Sequence, residues 1–545
     1  MTISILKNKY IVLTLIFLFA LVLRVYNLEV VPQSFHTDEL AAGYIGRYIF
    51  LHGQDIYGNA FPLFFDKFGD FRPIGIFWLS GIFTFIFGVN EFATRLPSSL
   101  FGALTVFPLY LLLIELFKKP KVALVASFFL AILPWHVVLS RSTSEGIIGL
   151  FFLIFSLYFG FVYLRTGKIR YLIYAFVLCA TTYFFYHVYR LLIPFIFLPL
   201  PLFAKANKIK ITIAAFITIL FAITALLGLT GAGSGRFSQV AFYKNEILNN
   251  TIQQFTIGEG QNHIFEARLF HNKAVVYARG FIGQYISYYS FDFLFEDKGL
   301  PDRYVVPGQG ILYYSFIPLL LLFFFFFLQY QRTNKFAWYL LYLFLLAALP
   351  AALTYEDSPN IHRSMLMILP IVIMLSIGSL AFWEELGKRK KLYFTCIMTL
   401  FLTLELVFFI HQYSVHSKSY KPFFRNQGEK ELIEYVLANQ KNYTTIYLPM
   451  IDDIPLYYLF YARRFELLPD GLIKSKFKAD TIDNLVFIDD PCISNRIMDG
   501  TLVLQPNSLI IENGDCSDKK GTTSQTIVTR FDGTKAYRIV NFDKD

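Results

Sequence analysis

Charged residues are scarce in this sequence. Asp, Glu, Lys and Arg make up 16% of its 545 residues, whereas hydrophobic residues make up 55%. A soluble globular domain carries about 25% charged residues, so the composition excludes that class. Apolar runs such as YIVLTLIFLFALV and FIPLLLLFFFFFL recur along most of the chain. Because backbone in lipid must satisfy its own hydrogen bonds, these runs predict a mainly α, polytopic helical membrane protein.

Cysteine is also rare, with four residues. Cys179 and Cys396 lie within apolar runs, where a small buried thiol is ordinary. Cys492 and Cys516 lie in the polar C-terminal region, and the sequence leaves open whether they form a disulfide, which an oxidising compartment would permit. No Cys or His spacing is typical of a zinc site. We therefore expect no required cofactor; a divalent metal is compatible with the sequence but not indicated by it.

The apolar runs predict eleven transmembrane helices, since a span needs about 20 apolar residues. The predicted spans are 10–28, 94–117, 121–140, 146–164, 171–187, 190–204, 210–230, 310–329, 336–353, 364–383 and 392–412. The stretch PIGIFWLSGIFTFIFG, 73–88, is short for a span. We interpret it as a helix lying on the membrane surface.

The distribution of positive charge supports this interpretation. The net charge is +10, which by itself also suits nucleic-acid binding. If residues 73–88 do not cross the membrane, however, all the basic loops lie on the same side of it. The positive-inside rule identifies that side as cytoplasmic. We therefore expect a multi-pass cell-membrane protein with a cytoplasmic N-terminus and an extracytoplasmic active site, and no nucleic-acid partner. The basic loops contain Lys7, Lys9, Lys118, Lys119, Lys121, Arg165, Lys168, Arg170, Lys205, Lys208, Lys210, Arg332, Lys335, Lys388, Arg389, Lys390 and Lys391.

Two domains are predicted. Residues 1–414 form the membrane domain, with long external loops at 29–93 and 231–309. Residues 415–545 change composition and form a small extracytoplasmic α/β domain, because GEKELIEYVLANQ has a helical pattern while TTIYLPM, NLVFIDD, SLIIEN and AYRIVNF are typical of strands. No internal repeat of the kind that builds transporters from two halves is present in the sequence.

Adjacent acids, Asp38 and Glu39, begin a helical pattern in the first external loop. Thr37 or Asp38 is a reasonable helix N-cap, which is the structural alternative to a functional role. A carboxylate at the lipid–water boundary is also placed to take a proton from a hydroxyl acceptor. Both interpretations stay open on the residues alone.

Other charged residues in the external segments are candidates for binding an anionic group. Cations at a polar–apolar boundary suit a phosphate attached to a lipid chain. The alternative is interfacial snorkelling, which we favour for Lys67; the aromatic residues near the loop cations also suit an ordinary interfacial belt. The candidates are Arg72 in FDKFGDFRPIG, Arg141 in RSTSEG, Arg268, His271, Lys273 and Arg279 in the second long loop, and His362 and Arg363 in EDSPNIHRS. RSTSEG also offers an acid, Glu145, at the outer end of a span.

Segments of the N-terminal half resemble a known family. LRVYNLEVVPQSFHTDELAAGY and FRPIGIFWLSGIFTFIFGVNEFATRLPSSLFGALTVFPLYLLLIELF are similar to the protein mannosyltransferase family, which includes bacterial transferases of aminoarabinose to lipid A. RLFHNKAVVYARGFIGQYISYYSFDFLF and PNIHRSMLMILP are similar to segments of bacterial members. The resemblance implies the GT-C fold class and a polyprenyl-phosphate sugar donor, either undecaprenyl or dolichyl phosphate.

The resemblance also implies roles for residues. The family's Asp-Glu pair maps onto Asp38 and Glu39, with Asp38 as the catalytic base and Glu39 in a supporting role. Its cation-Pro-Pro segment maps onto Arg72-Pro73, where Ile74 replaces the second proline. Its acidic residue in the second external loop corresponds to Glu145, which the resemblance implies is also catalytic. The expected phosphate-binding residues are Arg72, Arg268, Lys273, His362 and Arg363.

These observations predict an inverting glycosyltransferase that moves a sugar from a polyprenyl-phosphate donor to a hydroxyl of a protein, lipid or glycan acceptor outside the membrane. One alternative is a flippase or transporter of a lipid-linked sugar, which would need charged or broken-helix features at mid-membrane depth. Another is a polymerase or ligase of surface polysaccharide, which shares the donor and differs in the acceptor.

Overall fold

The computed structural model describes residues 8–67, 70–229, 241–330, 334–451, 453–466 and 481–542. The first ten residues of the predicted loop 231–309 lie outside these ranges. The chain is mainly helical, with a two-stranded hairpin near the N-terminus and a six-stranded sheet near the C-terminus. Through residue 229, the helices are Lys9–Val25, Thr37–His52, Gly75–Phe87, Glu91–Leu104, Val106–Phe117, Pro120–Ile132, Pro134–Arg141, Glu145–Thr166, Ile169–Tyr183, His187–Phe197 and Asn207–Leu229.

The described helices after residue 240 include the four short ones of the second long loop. They are Glu246–Glu259, Ile264–Phe270, Lys273–Ser287, Phe291–Phe295, Phe316–Tyr330, Lys335–Ala352, Ile368–Glu385, Lys388–His411, Glu429–Asn439, Ile454–Tyr461 and Ile493–Met498. Each of the eleven predicted spans coincides with one or two helices. Within the described residues, six helices are long and apolar enough to cross a membrane, or seven if one bent pair counts as a single span. The total of eleven therefore stays a prediction, as does the surface position of Gly75–Phe87.

The predicted span 121–140 is not one straight helix. Pro120–Ile132 and Pro134–Arg141 meet at an angle of 55°. Pro134 lacks a backbone N–H, and its ring clashes with the preceding turn, so the helical hydrogen bonds cannot continue through it. The break at Leu133 therefore follows from the sequence.

The C-terminal sheet has the strand order β4-β5-β3-β6-β8-β7. Strand β3 pairs in parallel with β5 and β6, and β8 pairs antiparallel with β6 and β7. The strands predicted in this region are present, and two more, β4 and β7, complete the sheet. Cys492 and Cys516 form a disulfide, with Cα atoms 5.6 Å apart. The strands are β3 Thr445–Pro449, β4 Thr481–Ile482, β5 Leu485–Ile488, β6 Ser508–Asn513, β7 Thr522–Thr529 and β8 Lys535–Phe542.

The sheet region shares a hydrophobic core with helix Thr37–His52. Leu40 and Tyr44 of that helix lie in one buried cluster with Leu448 of β3 and Tyr457 of helix Ile454–Tyr461. The Tyr44 hydroxyl donates to the Arg464 carbonyl at 2.8 Å. Most other membrane helices pack in a separate cluster. The helix that carries Asp38 therefore lies between the bundle and the C-terminal sheet.

Helix Thr37–His52 also crosses helix Gly75–Phe87 at close range. A Cβ on Gly46 would meet the Phe77 carbonyl, and a Cβ on Gly81 would meet the Gly46 carbonyl. Glycine is needed at both positions because only the missing side chain allows the two backbones to approach this closely.

Candidate functional site

The chain between the first helix and Asp38 is held by two buried arginines. Arg95 donates to the carbonyls of Leu28, Glu29, Pro32 and Ser34. Arg141, which the sequence offered as a site candidate, donates to three other carbonyls between residues 23 and 31. Since buried carbonyls need donors, these arginines order a segment that has no regular structure of its own.

Glu39 completes the same scaffold. Its carboxylate forms a bidentate ion pair with Arg95, at 2.9 and 3.1 Å, and accepts the Thr143 backbone N–H at 2.9 Å. Arg95 is fully buried and Glu39 is 7% exposed. Glu39, predicted to support catalysis, thus ties the start of helix Thr37–His52 to the membrane bundle.

The N-cap of that helix is neither Thr37 nor Asp38. The His36 ring Nδ1 accepts the Asp38 backbone N–H at 3.1 Å, and the Asn426 side chain accepts the Thr37 N–H at 3.3 Å. The capping alternative for Asp38 is therefore wrong. With the cap supplied by neighbours, the Asp38 carboxylate is directed toward three cations instead.

Lys67, Arg72 and Arg303 surround the Asp38 carboxylate. Lys67 Nζ lies 2.5 Å and Arg72 Nη2 lies 3.1 Å from Asp38 Oδ1, while Arg303 Nη2 lies 3.2 Å from Oδ2. The His36 ring nitrogen lies 3.8 Å from Oδ2. The Lys67 side chain is 9% exposed, so the snorkelling interpretation of this residue is wrong.

A hairpin that the sequence did not predict presents two of these cations. Strands β1, Phe64–Lys67, and β2, Asp70–Pro73, pair antiparallel with Phe65 opposite Arg72. Cross-strand partners share a face and alternate residues of one strand also do. Phe65, Lys67 and Arg72 therefore lie on one face, and fully buried Phe65 anchors it beneath the two cations.

The third cation comes from a loop far along the chain. Arg303 lies in a short turn, Asp302–Tyr304, that is bonded to the segment before the helix Ile368–Glu385. The Leu300 N–H donates to the Pro359 carbonyl and the Ile361 N–H donates to the Leu300 carbonyl, both at 2.9 Å. No pattern in the sequence pointed to Arg303, because its partner Asp38 is distant in the chain.

The electrostatics of this group hold Asp38 in its charged form. Burial tends to raise the pKa of the Asp38 carboxyl, but Arg72, Lys67, His36 and Arg303 lower it well below its usual value. Burial and the nearby Arg303 lower the pKa of His36 to about 3, so its ring is neutral. An ionised carboxylate among three cations is the result.

Asp38 lies at the edge of a cavity of about 640 Å³. Arg72, Glu145, His362 and Arg363 also line it, so five of the eight predicted site residues meet at one cavity. Apolar side chains line the rest, among them Ile76, Phe77, Val188, Leu191, Leu227 and Leu353. Glu39, Arg268 and Lys273 are not among the lining residues; Arg268 and Lys273 lie on helices Ile264–Phe270 and Lys273–Ser287.

Two of the predicted residues that line this cavity, His362 and Arg363, already have hydrogen-bond partners. The His362 ring contacts the Tyr186 hydroxyl at 3.0 Å and the Ser144 hydroxyl at 2.9 Å. Burial, with Arg303 and Arg363 nearby, lowers the pKa of His362 to about 3, so this ring is a neutral hydrogen-bonding group. Arg363 is charged and donates to Glu356 and Thr354.

Arg190, another residue missed at the sequence level, adds a cation to the cavity wall. Its Nε donates to the Tyr183 carbonyl at 2.9 Å, whereas its buried Nη2 has no hydrogen-bond partner within the described part of the chain. A buried unpaired guanidinium nitrogen is costly, and an anion in the cavity would satisfy it.

A second cavity, of about 550 Å³, lies toward the C-terminal sheet. It shares Pro301, Arg303 and Asp357 with the first, so the two adjoin next to the Arg303–Asp38 ion pair. Over the residues that the structure describes, no group of three or more His, Cys, Asp or Glu side chains has an arrangement suited to a metal ion. The expectation that no metal is required stays a prediction.

Comparisons with known proteins agree with the resemblance drawn from the sequence. Residues 71–229 match the family described as dolichyl-phosphate-mannose-protein mannosyltransferase, which confirms that resemblance. No curated protein sequence matches the chain. The chain is similar to the crystal structure of ArnT from Cupriavidus metallidurans in the apo state, with TM-score 0.49, 10% identity, and coverage of 96% of this chain and 97% of that chain. It is also similar to ArnT from the same organism bound to undecaprenyl phosphate, with TM-score 0.48, 10% identity and the same coverage.

Proposed function

We propose that this chain is a membrane glycosyltransferase that transfers a sugar from a polyprenyl-phosphate donor to a hydroxyl acceptor on the extracytoplasmic side. The match of residues 71–229 to the protein mannosyltransferase family supports the proposal. The observation that carries the proposal is the position of Asp38. Its carboxylate lies at the edge of a cavity whose lining combines four arginines and four carboxylates with many apolar side chains. Arginine side chains next to an apolar wall suit a phosphate attached to a long lipid.

The arginines of this cavity are the proposed ligands of the donor phosphate. Arg72, Arg190, Arg303 and Arg363 line it, and within the described part of the chain the buried Arg190 Nη2 has no hydrogen-bond partner. The polyprenyl chain would run along the apolar wall, where Leu191 and Leu227 lie. Guanidinium groups bind phosphate oxygens through two parallel N–H donors, which favours arginine in this role.

In the proposed reaction, one Asp38 carboxylate oxygen takes the proton of an acceptor hydroxyl. The hydroxyl oxygen attacks the anomeric carbon as the bond from that carbon to the phosphate oxygen breaks. The sugar inverts at this carbon, and the polyprenyl phosphate leaves with one additional negative charge. The arginines stabilise that charge as it develops, which is the main electrostatic contribution expected of this site.

The cations that lower the pKa of Asp38 would also oppose its action as a base. Donor binding resolves this conflict, because Arg72 and Arg303 line the cavity and can turn toward the incoming phosphate. A cation that turns to the phosphate lowers the pKa of Asp38 less than it does when it is paired with Asp38. The carboxylate therefore becomes more basic when the donor is in place. The ion-pair cluster thereby couples donor binding to activation of the base.

The test is transfer of labelled sugar by purified full-length protein from undecaprenyl-phosphate mannose. Asp38→Asn should lower the transfer rate by about 10²- to 10⁴-fold, the usual contribution of a general base, while donor binding is kept. The matched control is Asp66→Asn, which changes another aspartate, in strand β1 of the hairpin that carries Lys67. Undiminished transfer by Asp38→Asn would remove Asp38 from the mechanism. Added EDTA should leave the rate unchanged, because the proposed steps use no metal.

The same assay separates the other functions considered for this sequence. A flippase would move the labelled lipid across a vesicle membrane without releasing polyprenyl phosphate. A polymerase or ligase would prefer a lipid-linked oligosaccharide over the lipid-linked monosaccharide. We expect polyprenyl phosphate to be released with the monosaccharide donor.

A further inference from the structure

The 550 Å³ cavity lies next to Arg303, which is paired with Asp38. It is lined by Phe423 and Phe424 of the turn Pro422–Arg425, by Met450, Asp453 and Pro455, and by the loop 300–303. It adjoins the donor cavity at Arg303, whose Nη2 lies 3.2 Å from the Asp38 carboxylate. A ligand in this second cavity can therefore place a hydroxyl beside Asp38 without displacing the lipid.

Two exposed aromatic side chains line this cavity. Phe423 is 57% and Phe424 is 51% exposed, although each is a large apolar residue. Their turn is held in place, since Lys421 Nζ lies 2.8 Å from Asp302 and Arg425 donates to the Val305 carbonyl at 3.0 Å. Aromatic faces fixed in this way bind flat apolar surfaces, such as the C–H face of a sugar ring.

Carboxylates form much of the polar part of the lining, together with His36, Thr37 and Asn426. Asp302, Asp357 and Asp453 line the cavity, and its only arginine among the described residues, Arg303, is paired with Asp38. An ionised carboxylate only accepts hydrogen bonds, so a ligand that contacts these carboxylates has to donate them. A phosphate group would instead face excess negative charge, which disfavours a phosphorylated lipid headgroup.

We propose that this cavity binds the acceptor and that the acceptor is a neutral carbohydrate. Its ring lies against Phe424 and its hydroxyl groups donate to Asp357 and Asp453. Ammonium groups also donate hydrogen bonds, but Arg303 is already paired with Asp38 and Lys421 with Asp302, and a neutral ligand leaves both ion pairs intact. The inference rests on the proposed function, because only a transferase of this kind uses a hydroxyl acceptor next to Asp38.

Binding is measured with the full-length protein in nanodiscs, without donor, by saturation-transfer NMR. The probes are methyl α-mannopyranoside, maltose, glycerol phosphate and an acetylated peptide containing Ser and Thr. We expect saturation transfer to the two neutral sugars that falls at least fivefold in Phe424→Ala and in Asp453→Asn. The matched controls are Phe531→Ala, a phenylalanine that is 55% exposed outside the cavity, and Asp499→Asn in an exposed turn.

Equal signals in all variants, or a preference for glycerol phosphate or the peptide, would overturn the carbohydrate assignment. Hydrolysis of undecaprenyl-phosphate mannose in the absence of acceptor is measured in parallel. An unchanged thermal unfolding temperature in Phe424→Ala and Asp453→Asn shows that both variants are folded. Donor consumption without sugar binding would refute this inference alone, whereas sugar binding without donor consumption would refute the proposed function alone.

Discussion

Lys67 Nζ lies 2.5 Å from Asp38 Oδ1, and the lysine side chain is almost completely buried. The contact joins the turn end of the β1–β2 hairpin to the first turn of helix Thr37–His52. Burying a lysine is costly unless it is paired, and Lys67 is one of the cations that lower the pKa of Asp38. The proposed catalytic base is thereby held in its ionised form before any substrate binds.

Replacing Lys67 should change the pH dependence of the reaction. The cations lower the pKa of Asp38 below its usual value near 3.8, so the carboxylate is ionised at all higher pH values and is protonated only as the pH falls through the lowered pKa. Lys67→Met removes one of these cations and raises the pKa of Asp38. Activity in the variant should therefore be lost at a higher pH than in the native protein.

The measurement is the pH profile of kcat/KM for undecaprenyl-phosphate mannose, which reports groups of the free enzyme. The exposed Lys298, replaced by Met, serves as the control. An acid limb at the same pH in Lys67→Met and the native protein would contradict the role assigned to this ion pair.

Arg190 should contribute to donor binding. Its Nη2 is buried without a partner in the described structure, and a hydrogen bond from a charged group contributes about 1.5–3 kcal/mol. Arg190→Gln should therefore raise the KM for the donor by roughly 10- to 100-fold. Arg190→Lys should recover part of the loss, while Arg170→Gln, at the exposed start of helix Ile169–Tyr183, should have no effect. Unchanged KM in Arg190→Gln would exclude contact with the phosphate.

Replacing Glu39 should lower the stability of the protein rather than act directly on the transfer reaction. Breaking a buried ion pair costs about 3–5 kcal/mol, and Glu39 also accepts the Thr143 N–H. Glu39→Gln should lower the free energy of unfolding by about 3 kcal/mol in a denaturant titration. The exposed Glu434, replaced by Gln, should leave it unchanged. A variant of native stability that has lost transfer would instead place Glu39 among the reacting groups.

The predicted topology can be tested with cysteine labelling. A membrane-impermeant reagent applied from outside intact cells should label Lys298→Cys and not Lys118→Cys. The labelling background should carry Cys396→Ser, because Cys396 is an exposed free thiol. Labelling of both positions from the same side would refute the orientation, and with it the extracytoplasmic site.

The predicted spans show how far hydrophobic runs specify a membrane bundle. Each run coincides with helix because unsatisfied backbone groups are excluded from lipid whatever the packing. The break at Pro134 is equally local in origin, although the run 121–140 conceals it. Hydropathy does not distinguish a short oblique span from a surface helix, so the number of crossings is not determined in this way.

The candidate site was also predicted only in part from the sequence. Asp38, Arg72, Glu145, His362 and Arg363 were predicted from charge at the ends of apolar runs and from the family resemblance, and the fold brings them to one cavity. Lys67 and Arg303 were not, because their role depends on a hairpin register and on a contact between residues distant in the chain. The assignment of the helix cap to His36 and Asn426 likewise required the tertiary structure.

The sequence by itself determined the class of protein, the helical runs and the acidic pair, since these follow from hydropathy and from the chemistry of single residues. Only the tertiary structure decided the different contacts of the two acids. Asp38 and Glu39 are adjacent in the chain, yet one faces three cations at a cavity and the other is paired with Arg95 in the scaffold. Successive residues of a helix point in different directions, so their partners come from different parts of the fold.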